Sequence, residues 1–368
     1  MTNNFDILIL TAANEAQADG YRAQLAWRRA NGLIHPDTET RVITDPGGRR
    51  VGSLGATLNV LAQVAGGRGV EAFAGRRILI CHSGGDSRRT PAYAAQGKVF
   101  TPVPATGPAG QPLALFDLIL RTVSALPAPA GGHVLITSGD VLLTFDHASV
   151  DFSRLGVTGV AYFGPVERGS RHGVYVPSGF GANPQRTECV PVVDFLQKPS
   201  ETEARACGAV DPFGHVAVDT GLISLTPEVC ARLVKAAGVP SAVPVVSAVP
   251  VDGENVEGRR GENAQRSMLN AQRSMGGKTG LLDAITGGDC PPLDLYEELT
   301  MAVAPRFDEA RYLDRFVTVR GRDAAHRRRM RAFYRALRGV PFQVNIVPYC
   351  EFFHIGSSRE LLAGFSGL

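Results

Sequence analysis

Three short and mostly apolar runs constrain the fold of this chain more than any other feature. They are Phe5–Thr11, Ile78–Cys81 and His133–Ser138. A continuous apolar run of this length is typical of a strand that is buried on both faces, as in a parallel sheet. We therefore expect three buried strands. Residues just past such a strand would lie at the carboxyl edge of the sheet, where open α/β sheets place their ligands.

The residues that follow Ile78–Cys81 suit a polyphosphate ligand. Residues 82–89 read HSGGDSRR, and Lys98 closes the segment. Glycine lets backbone N–H groups approach phosphate oxygens closely, and arginine adds charge and forked donors. The alternative is an ordinary strand and turn with a solvated arginine pair. The candidate phosphate-binding residues are Ser83, Gly84, Gly85, Asp86, Ser87, Arg89 and Lys98.

A second glycine-containing loop precedes an apolar helix. Residues 52–57 read GSLGAT and follow an Asp-Pro-Gly-Gly turn. The free N–H groups and the dipole of a helix N-terminus favour an anion, although an ordinary helix start capped by Ser53 explains the pattern equally well. A P-loop is excluded because no Gly-Lys-Ser/Thr follows. The candidate anion-binding residues are Gly52, Ser53, Gly55, Ala56 and Thr57.

An acidic residue, Asp140, follows the His133–Ser138 run. Its position predicts a carboxylate at the carboxyl edge of the sheet. The alternative role is a cap for the next turn.

Asp219 poses a different problem because it interrupts the apolar run His215–Ser224. A carboxylate in such a run is costly to bury unless it is paired or binds a ligand.

Length and composition exclude several classes of protein. The 368 residues are enough for one large α/β domain with additions, or for two domains. The net charge of +3 is too balanced to indicate a nucleic-acid partner. The six cysteines are scattered without a Cys-x-x-Cys pair, which argues against zinc and disulfides and favours a cytoplasmic protein. We expect no signal peptide and no membrane span.

The motifs together resemble those of a known family. Residues 84–98 are similar to the sugar nucleotidyltransferase signature, GGxGTR followed by a proline and later a lysine, with Ser87 in place of a glycine. More closely, the chain resembles the fucose-1-phosphate guanylyltransferase (GDP-fucose pyrophosphorylase) family, which also forms part of bifunctional fucokinase/GDP-fucose pyrophosphorylases. The matching strings include residues 52–58, 195–200 and 352–356. The fucose enzymes usually carry serine at the position of Ser87.

The resemblance implies a Rossmann-like, GT-A-like α/β fold, with a mixed but mostly parallel sheet flanked by helices. The nucleotidyltransferase domain would span residues 1–350, with a flexible insertion at about 238–288 in which AQRSM occurs twice. Residues 351–368 would be the remnant of a C-terminal extension, without the β-helix domain that follows in the fucose enzymes.

The resemblance also assigns roles to individual residues. It implies that GTP and L-fucose 1-phosphate are the substrates, that Arg89 and Lys98 are catalytic, and that residues 52–57 and 83–87 border the nucleotide. Asp140 would bind Mg²⁺, and Asp294 would complete the metal site or cap a helix. Gly173, Lys198 and Asp219 would contact the sugar 1-phosphate; the alternative for Lys198 is a solvated lysine before a proline. The chain departs from the family at Glu297, where glycine is common.

Two other functions fit the same motifs. The chain could be a nucleotidyltransferase for another NTP or sugar 1-phosphate, because the sequence does not locate the hydrogen bonds that select a base. It could also be a non-catalytic regulatory protein that binds sugar nucleotides. Fucokinase activity is not expected, because the chain lacks the glycine-rich motif of GHMP kinases.

Overall fold

The computed structural model describes residues 4–83, 91–93, 97–179, 186–238, 280–355, 357 and 359–360. The strands within these residues are β1 (Ile7–Ala12), β2 (Glu39–Thr44), β3 (Arg77–His82), β4 (Pro102–Thr106), β5 (Pro112–Ala114), β6 (His133–Ser138), β7 (Val141–Thr144), β8 (Val157–Pro165), β9 (Gly173–Pro177), β10 (Glu188–Gln197), β11 (His215–Leu225), β12 (Phe342–Val347) and β13 (Glu351–His354). The α-helices are α1 (Glu15–Ala30), α2 (Gly52–Ala65), α3 (Leu115–Ser124), α4 (Val166–Gly169), α5 (Glu201–Ala206), α6 (Pro227–Ala236), α7 (Leu281–Gly287), α8 (Thr300–Val303), α9 (Glu309–Leu313) and α10 (Ala324–Leu337).

The three apolar runs form adjacent parallel strands. β1, β3 and β6 lie side by side, with β2 parallel to the outer edge of β1. In β1, Ile7 and Ile9 face one hydrophobic core and Leu8 and Leu10 face a second core on the opposite side of the sheet. All four are at most 2% exposed. Because both faces are covered, these strands need apolar residues at every position.

The predicted fold, a mostly parallel Rossmann-like sheet flanked by helices, was wrong. Five strands of the nine-stranded sheet close into a ring: β11 pairs with β8, β8 with β12, β12 with β10, β10 with β9, and β9 again with β11. Within this barrel, only β8 and β12 are parallel. The correct description is therefore a short parallel sheet that continues into a closed, mixed five-stranded β-barrel.

A bend in β11 explains how the barrel closes. The register of β11 shifts between Asp219 and Ile223, and Gly221 within this interval has φ +76°. Beyond the bend β11 pairs with β6, whereas before the bend the same edge pairs with β9. One strand thus belongs to both the parallel sheet and the barrel. A bulge of this kind is a common device for turning a strand at a barrel corner.

The chain between α7 and β12 packs over the barrel and the start of α2. It contains the short helices α8 and α9, wide helical turns at Leu295–Leu299 and Asp314–Thr318, and α10. Most of the predicted insertion, residues 239–279, lies outside the described residues, whereas Leu281–Gly287 forms α7. In the described part of the chain, no helix has the length and apolar character needed to cross a bilayer.

Candidate functional site

The predicted polar residues gather at the carboxyl ends of β1, β3 and β6. The hydroxyl of Ser83 donates to the Thr11 carbonyl at 2.8 Å. His82 joins β1 to α2, because its ring nitrogens lie 3.4 Å from Thr11 Oγ1 and 2.9 Å from Thr57 Oγ1. Burial lowers the pKa of His82 to about 4, so the imidazole is neutral near pH 7. Two predicted nucleotide-binding segments therefore meet through one buried histidine.

The start of α2 lies against the segment that carries Asp294. Ser53 Oγ accepts the Leu295 N–H at 2.8 Å and does not cap its own helix. Gly52 has φ +80°, and a Cβ there would meet the Leu293 carbonyl oxygen at 2.2 Å. Glycine is therefore required for this close approach. Further along the helix, Gly55, Ala56 and Thr57 are buried.

Lys98 and Asp140 form an ion pair although they are far apart in sequence. Lys98 Nζ lies 3.4 Å from Asp140 Oδ2, and the Ser138 hydroxyl donates to Asp140 Oδ1 at 2.6 Å. Burial alone would raise the pKa of Asp140. The imidazole of His354, the Ser138 hydroxyl and the Lys98 charge outweigh burial and lower that pKa to about 2. Asp140 is consequently ionised at neutral pH.

Helix α1 fixes the short segment that carries Lys98. Gly97 has φ +70°, and a Cβ there would come within 2.0 Å of the Tyr21 hydroxyl. Two residues after Lys98, the Phe100 ring lies 4.6 Å below the Arg28 guanidinium. A buried ion pair with Asp117, at 2.7 and 3.0 Å, holds Arg28 in place. The position of Lys98 is thus set by rigid packing behind it.

Lys198 follows β10 in a backbone conformation that is unusual for lysine. Its φ is +50°, and it is the one described non-glycine residue with positive φ. Its N–H donates to the His172 carbonyl at 2.9 Å. Burial lowers the pKa of His172, and with the smaller contributions of nearby positive charges the pKa falls to about 4. These charges are those of His354, Arg168, Lys198 and Arg171. Strained backbone in a folded protein is enriched at functional sites, which agrees with the predicted role of Lys198.

Asp219 is buried at the bend of β11, next to Gly173. Asp219 Oδ1 accepts the Tyr175 hydroxyl at 3.2 Å and the Gly221 N–H at 3.0 Å. A Cβ on Gly173 would lie 3.2 Å from Asp219 Cβ and 2.4 Å from the Phe195 ring. Burial raises the pKa of Asp219 to about 6, and the negative charge of Asp294 acts in the same direction.

Asp294 caps the wide helical turn that follows it, as the alternative prediction had it. Its Oδ1 accepts the Tyr296 N–H at 2.8 Å. Burial raises the pKa of Asp294, and the charge of Glu297 adds to the rise. Capping does not exclude a role at the site, because the second carboxylate oxygen is not used by this bond.

Tyr296 was missed by the sequence reasoning, although it is central to the site. Its hydroxyl donates to the Gly221 carbonyl at 2.9 Å, which ties the Asp294 segment to the bend of β11. Burial raises the pKa of the Tyr296 phenol well above its ordinary value, and three carboxylates add to the rise: those of Asp219, Asp294 and Asp140. The sequence feature that could have indicated Tyr296 is its position two residues after the candidate metal ligand Asp294.

These carboxylates suit a hard divalent cation. Burial is the main cause of the raised pKa of Asp219 and of Tyr296, and the negative charge of neighbouring carboxylates adds to both rises. A bound cation would neutralise part of this charge. No group of three histidine, cysteine or acidic side chains in the described ranges is arranged to hold a metal ion. Mg²⁺ usually takes one or two carboxylates and completes its shell with water and substrate phosphates. Binding of Mg²⁺ by Asp140 and Asp294 stays a prediction.

Some predicted site residues cannot be placed. Gly84, Gly85, Asp86, Ser87 and Arg89 lie outside the described residues. The predicted proximity of Arg89 and Asp140 therefore stays a prediction. Lys98, from the same motif, does lie beside Asp140.

Comparison with known proteins identifies similar sequences. The fucose pyrophosphorylase domain family matches residues 70–367. The chain is 32% identical over 244 residues to a bifunctional fucokinase/GDP-fucose pyrophosphorylase of Arabidopsis thaliana, covering 60% of this chain and 23% of the relative. It is 31% identical over 200 residues to a fucose-1-phosphate guanylyltransferase of Homo sapiens, covering 53% and 32% respectively. An L-fucokinase/L-fucose-1-P guanylyltransferase of Bacteroides fragilis is 32% identical over 172 residues, covering 44% and 17%. The chain thus spans less than a third of the length of each of these relatives.

Proposed function

Because the chain belongs to the fucose pyrophosphorylase family, we propose that it is a sugar-1-phosphate guanylyltransferase that converts GTP and L-fucose 1-phosphate into GDP-L-fucose and pyrophosphate. The single observation that carries this proposal is the Lys98–Asp140 pair at the carboxyl ends of β3 and β6. A cation and a carboxylate, side by side and partly exposed, can receive a triphosphate and its counter-ion together.

The reaction needs no general base. A phosphate monoester is largely dianionic near pH 7, because its second pKa is about 6. One of its oxygens attacks the α-phosphorus of the NTP, the bond between the α- and β-phosphates breaks, and the electron pair leaves with pyrophosphate. Catalysis then consists of positioning two anions and stabilising the charge that develops on the leaving group.

The side chains of the site divide this work. Lys98, paired with Asp140, would stabilise the triphosphate with its ammonium group, and Lys198 would hold the phosphate of the sugar. Asp219, with Gly173 beside it, would accept a hydrogen bond from a sugar hydroxyl. Mg²⁺, when bound by Asp140 and Asp294, would neutralise charge on the phosphates. Arg89 keeps its predicted role on the triphosphate.

A substrate screen with matched variants tests the proposal. Pyrophosphate release is measured for four NTPs against a panel of sugar 1-phosphates, with Mg²⁺ and with EDTA. We expect the highest kcat/KM with GTP and L-fucose 1-phosphate, and a loss of about 10²–10³-fold in Lys98→Met. Lys235→Met on α6 is the control, because Lys235 is an exposed lysine with no place in the site.

The screen also separates the other functions. If another NTP and sugar 1-phosphate give the highest kcat/KM, the chain is still a nucleotidyltransferase, but its substrates are not GTP and L-fucose 1-phosphate. Tight binding of a sugar nucleotide without pyrophosphate release from any pair would contradict an enzyme and favour a regulatory protein.

A further inference from the structure

The C-terminal strand β13 forms one wall of the site. It pairs antiparallel with β7, which places His354 opposite Val141. The Ile355 N–H also donates to the Asp140 carbonyl at 2.7 Å. On the other side, the Phe352 ring lies 5.0 Å from the ring of His172. The His172 carbonyl is the group that accepts the Lys198 N–H. Main-chain bonds and aromatic packing therefore hold β13 between the Asp140 and Lys198 regions.

His354 points from this strand to the Lys98–Asp140 pair. Its Nε2 lies 3.7 Å from Asp140 Oδ2, the same oxygen that Lys98 Nζ approaches to 3.4 Å. Its Nδ1 lies 3.7 Å from Glu360 Oε1. The His354 side chain is 34% exposed, so it does not fill the core. A carboxylate lies near each ring nitrogen, and about a third of the side chain remains accessible to a ligand.

The arrangement brings two side-chain nitrogens within 3.7 Å of one carboxylate oxygen. If Asp140 binds a cation during the proposed reaction, this oxygen is committed to the cation, and Lys98 and His354 need other acceptors. The nearest chemistry of the right kind is a phosphate oxygen held by the same cation. We propose that His354 is a substrate-contacting residue that donates from Nε2 to a non-bridging phosphate oxygen beside Lys98. This inference rests on the proposed function.

The phosphate could belong to the NTP or to the sugar 1-phosphate, and kinetics distinguish the two. A hydrogen bond to a charged group contributes about 1.5–3 kcal/mol, so His354→Ala should lower kcat/KM by about 10–100-fold. A rise in KM for only one substrate would identify the phosphate that His354 contacts. His354→Gln keeps a donor of similar reach and should recover part of the loss, which a purely structural role would not predict.

Glu351→Gln is the matched control on the same strand. Glu351 is exposed and accepts the Tyr349 hydroxyl at 2.9 Å, away from Asp140. We expect this variant to retain wild-type kinetics. Because main-chain bonds hold β13, His354→Ala should remain folded by circular dichroism. If it unfolds, the comparison of His354→Gln with wild type decides the question. Kinetics of His354→Ala within about twofold of wild type would overturn the inference.

Pyrophosphate binding tests His354 independently of turnover. Calorimetry with inorganic pyrophosphate, and separately with GTP and with L-fucose 1-phosphate, is performed on wild type, His354→Ala and Glu351→Gln in the presence of Mg²⁺. We expect affinity for at least one of them to fall about tenfold in His354→Ala alone. If wild type shows no turnover, the proposed function fails while this binding result still decides the role of His354. In an inactive wild type, equal affinities of wild type and His354→Ala for all three ligands would refute the inference.

Discussion

Asp140→Asn is the substitution that tests the site most directly. It removes one negative charge but keeps the size of the side chain and an oxygen that can accept the Ser138 hydroxyl at the present 2.6 Å. The ionised form of Asp140 is favoured in the folded protein, since its pKa falls from 3.8 to about 2. A shift of this size corresponds to about 2–3 kcal/mol, because each pKa unit is about 1.4 kcal/mol.

The pH dependence of this stabilisation has a definite sign. A lowered carboxyl pKa stabilises the fold above the unfolded-state value of about 4 and loses its effect as pH falls through about 2. We therefore expect Asp140→Asn to lower the free energy of unfolding by about 2 kcal/mol at pH 7, with a smaller difference at pH 3. Urea unfolding at the two pH values measures both quantities. A protein of this size should remain folded after such a loss.

The effect on activity should be much larger than the effect on stability. Removing one preorganised electrostatic group commonly costs about 10²–10³-fold in rate, so Mg²⁺-dependent pyrophosphate release should fall by that factor. Asp146→Asn is the control: it makes the same change at an exposed position six residues later. Turnover of Asp140→Asn within about threefold of wild type, in folded protein, would refute the assignment of Asp140 to the site.

Three further substitutions test other parts of the structure. In urea unfolding, Lys198→Gly should be about 1 kcal/mol more stable than Lys198→Ala, because only glycine relieves the strain of φ +50°. Both variants should raise KM for the sugar 1-phosphate equally. Equal stabilities of the two variants would show that the strain is absent. Because the pKa of Asp219 is raised to about 6, the free energy of unfolding of wild type should fall as pH rises from 4 to 7. In EDTA, Asp219→Asn should remove about 2–3 kcal/mol of this fall. The same pH profile in the variant as in wild type would contradict the raised pKa of Asp219. Asp117→Asn should cost about 3–5 kcal/mol in urea unfolding, because it leaves the buried Arg28 without its counter-charge; a loss below about 1 kcal/mol would mean that the pair is not buried in solution.

The sequence predicted the parallel strands well, and the reason is their burial. β1, β3 and β6 occupy nearly the residues of the three apolar runs, because a strand with two covered faces has little room for polar side chains. The predicted family is confirmed, because the fucose pyrophosphorylase domain family matches residues 70–367.

The barrel could not be predicted in the same way. An apolar run reports that a strand is buried, but it does not report the direction or identity of the neighbouring strand. The decisive feature is the bend of β11 near Gly221, which gives half of one strand edge to β6 and half to β9. β6 and β9 are both distant from β11 in sequence. A local pattern of residues therefore does not predict which of them pairs with β11.

The candidate site divides along the same line. The sequence selected Lys98, Asp140 and Asp219 because each follows or interrupts an apolar strand, and it selected Lys198 through the family resemblance of residues 195–200. Only the tertiary structure joined the Tyr296 hydroxyl to the Gly221 carbonyl and brought His354 to Asp140 across more than 200 residues of chain. Local composition is enough to predict that a strand is buried. The approach of side chains from separate elements depends on how the sheet bends and closes, which local composition does not report.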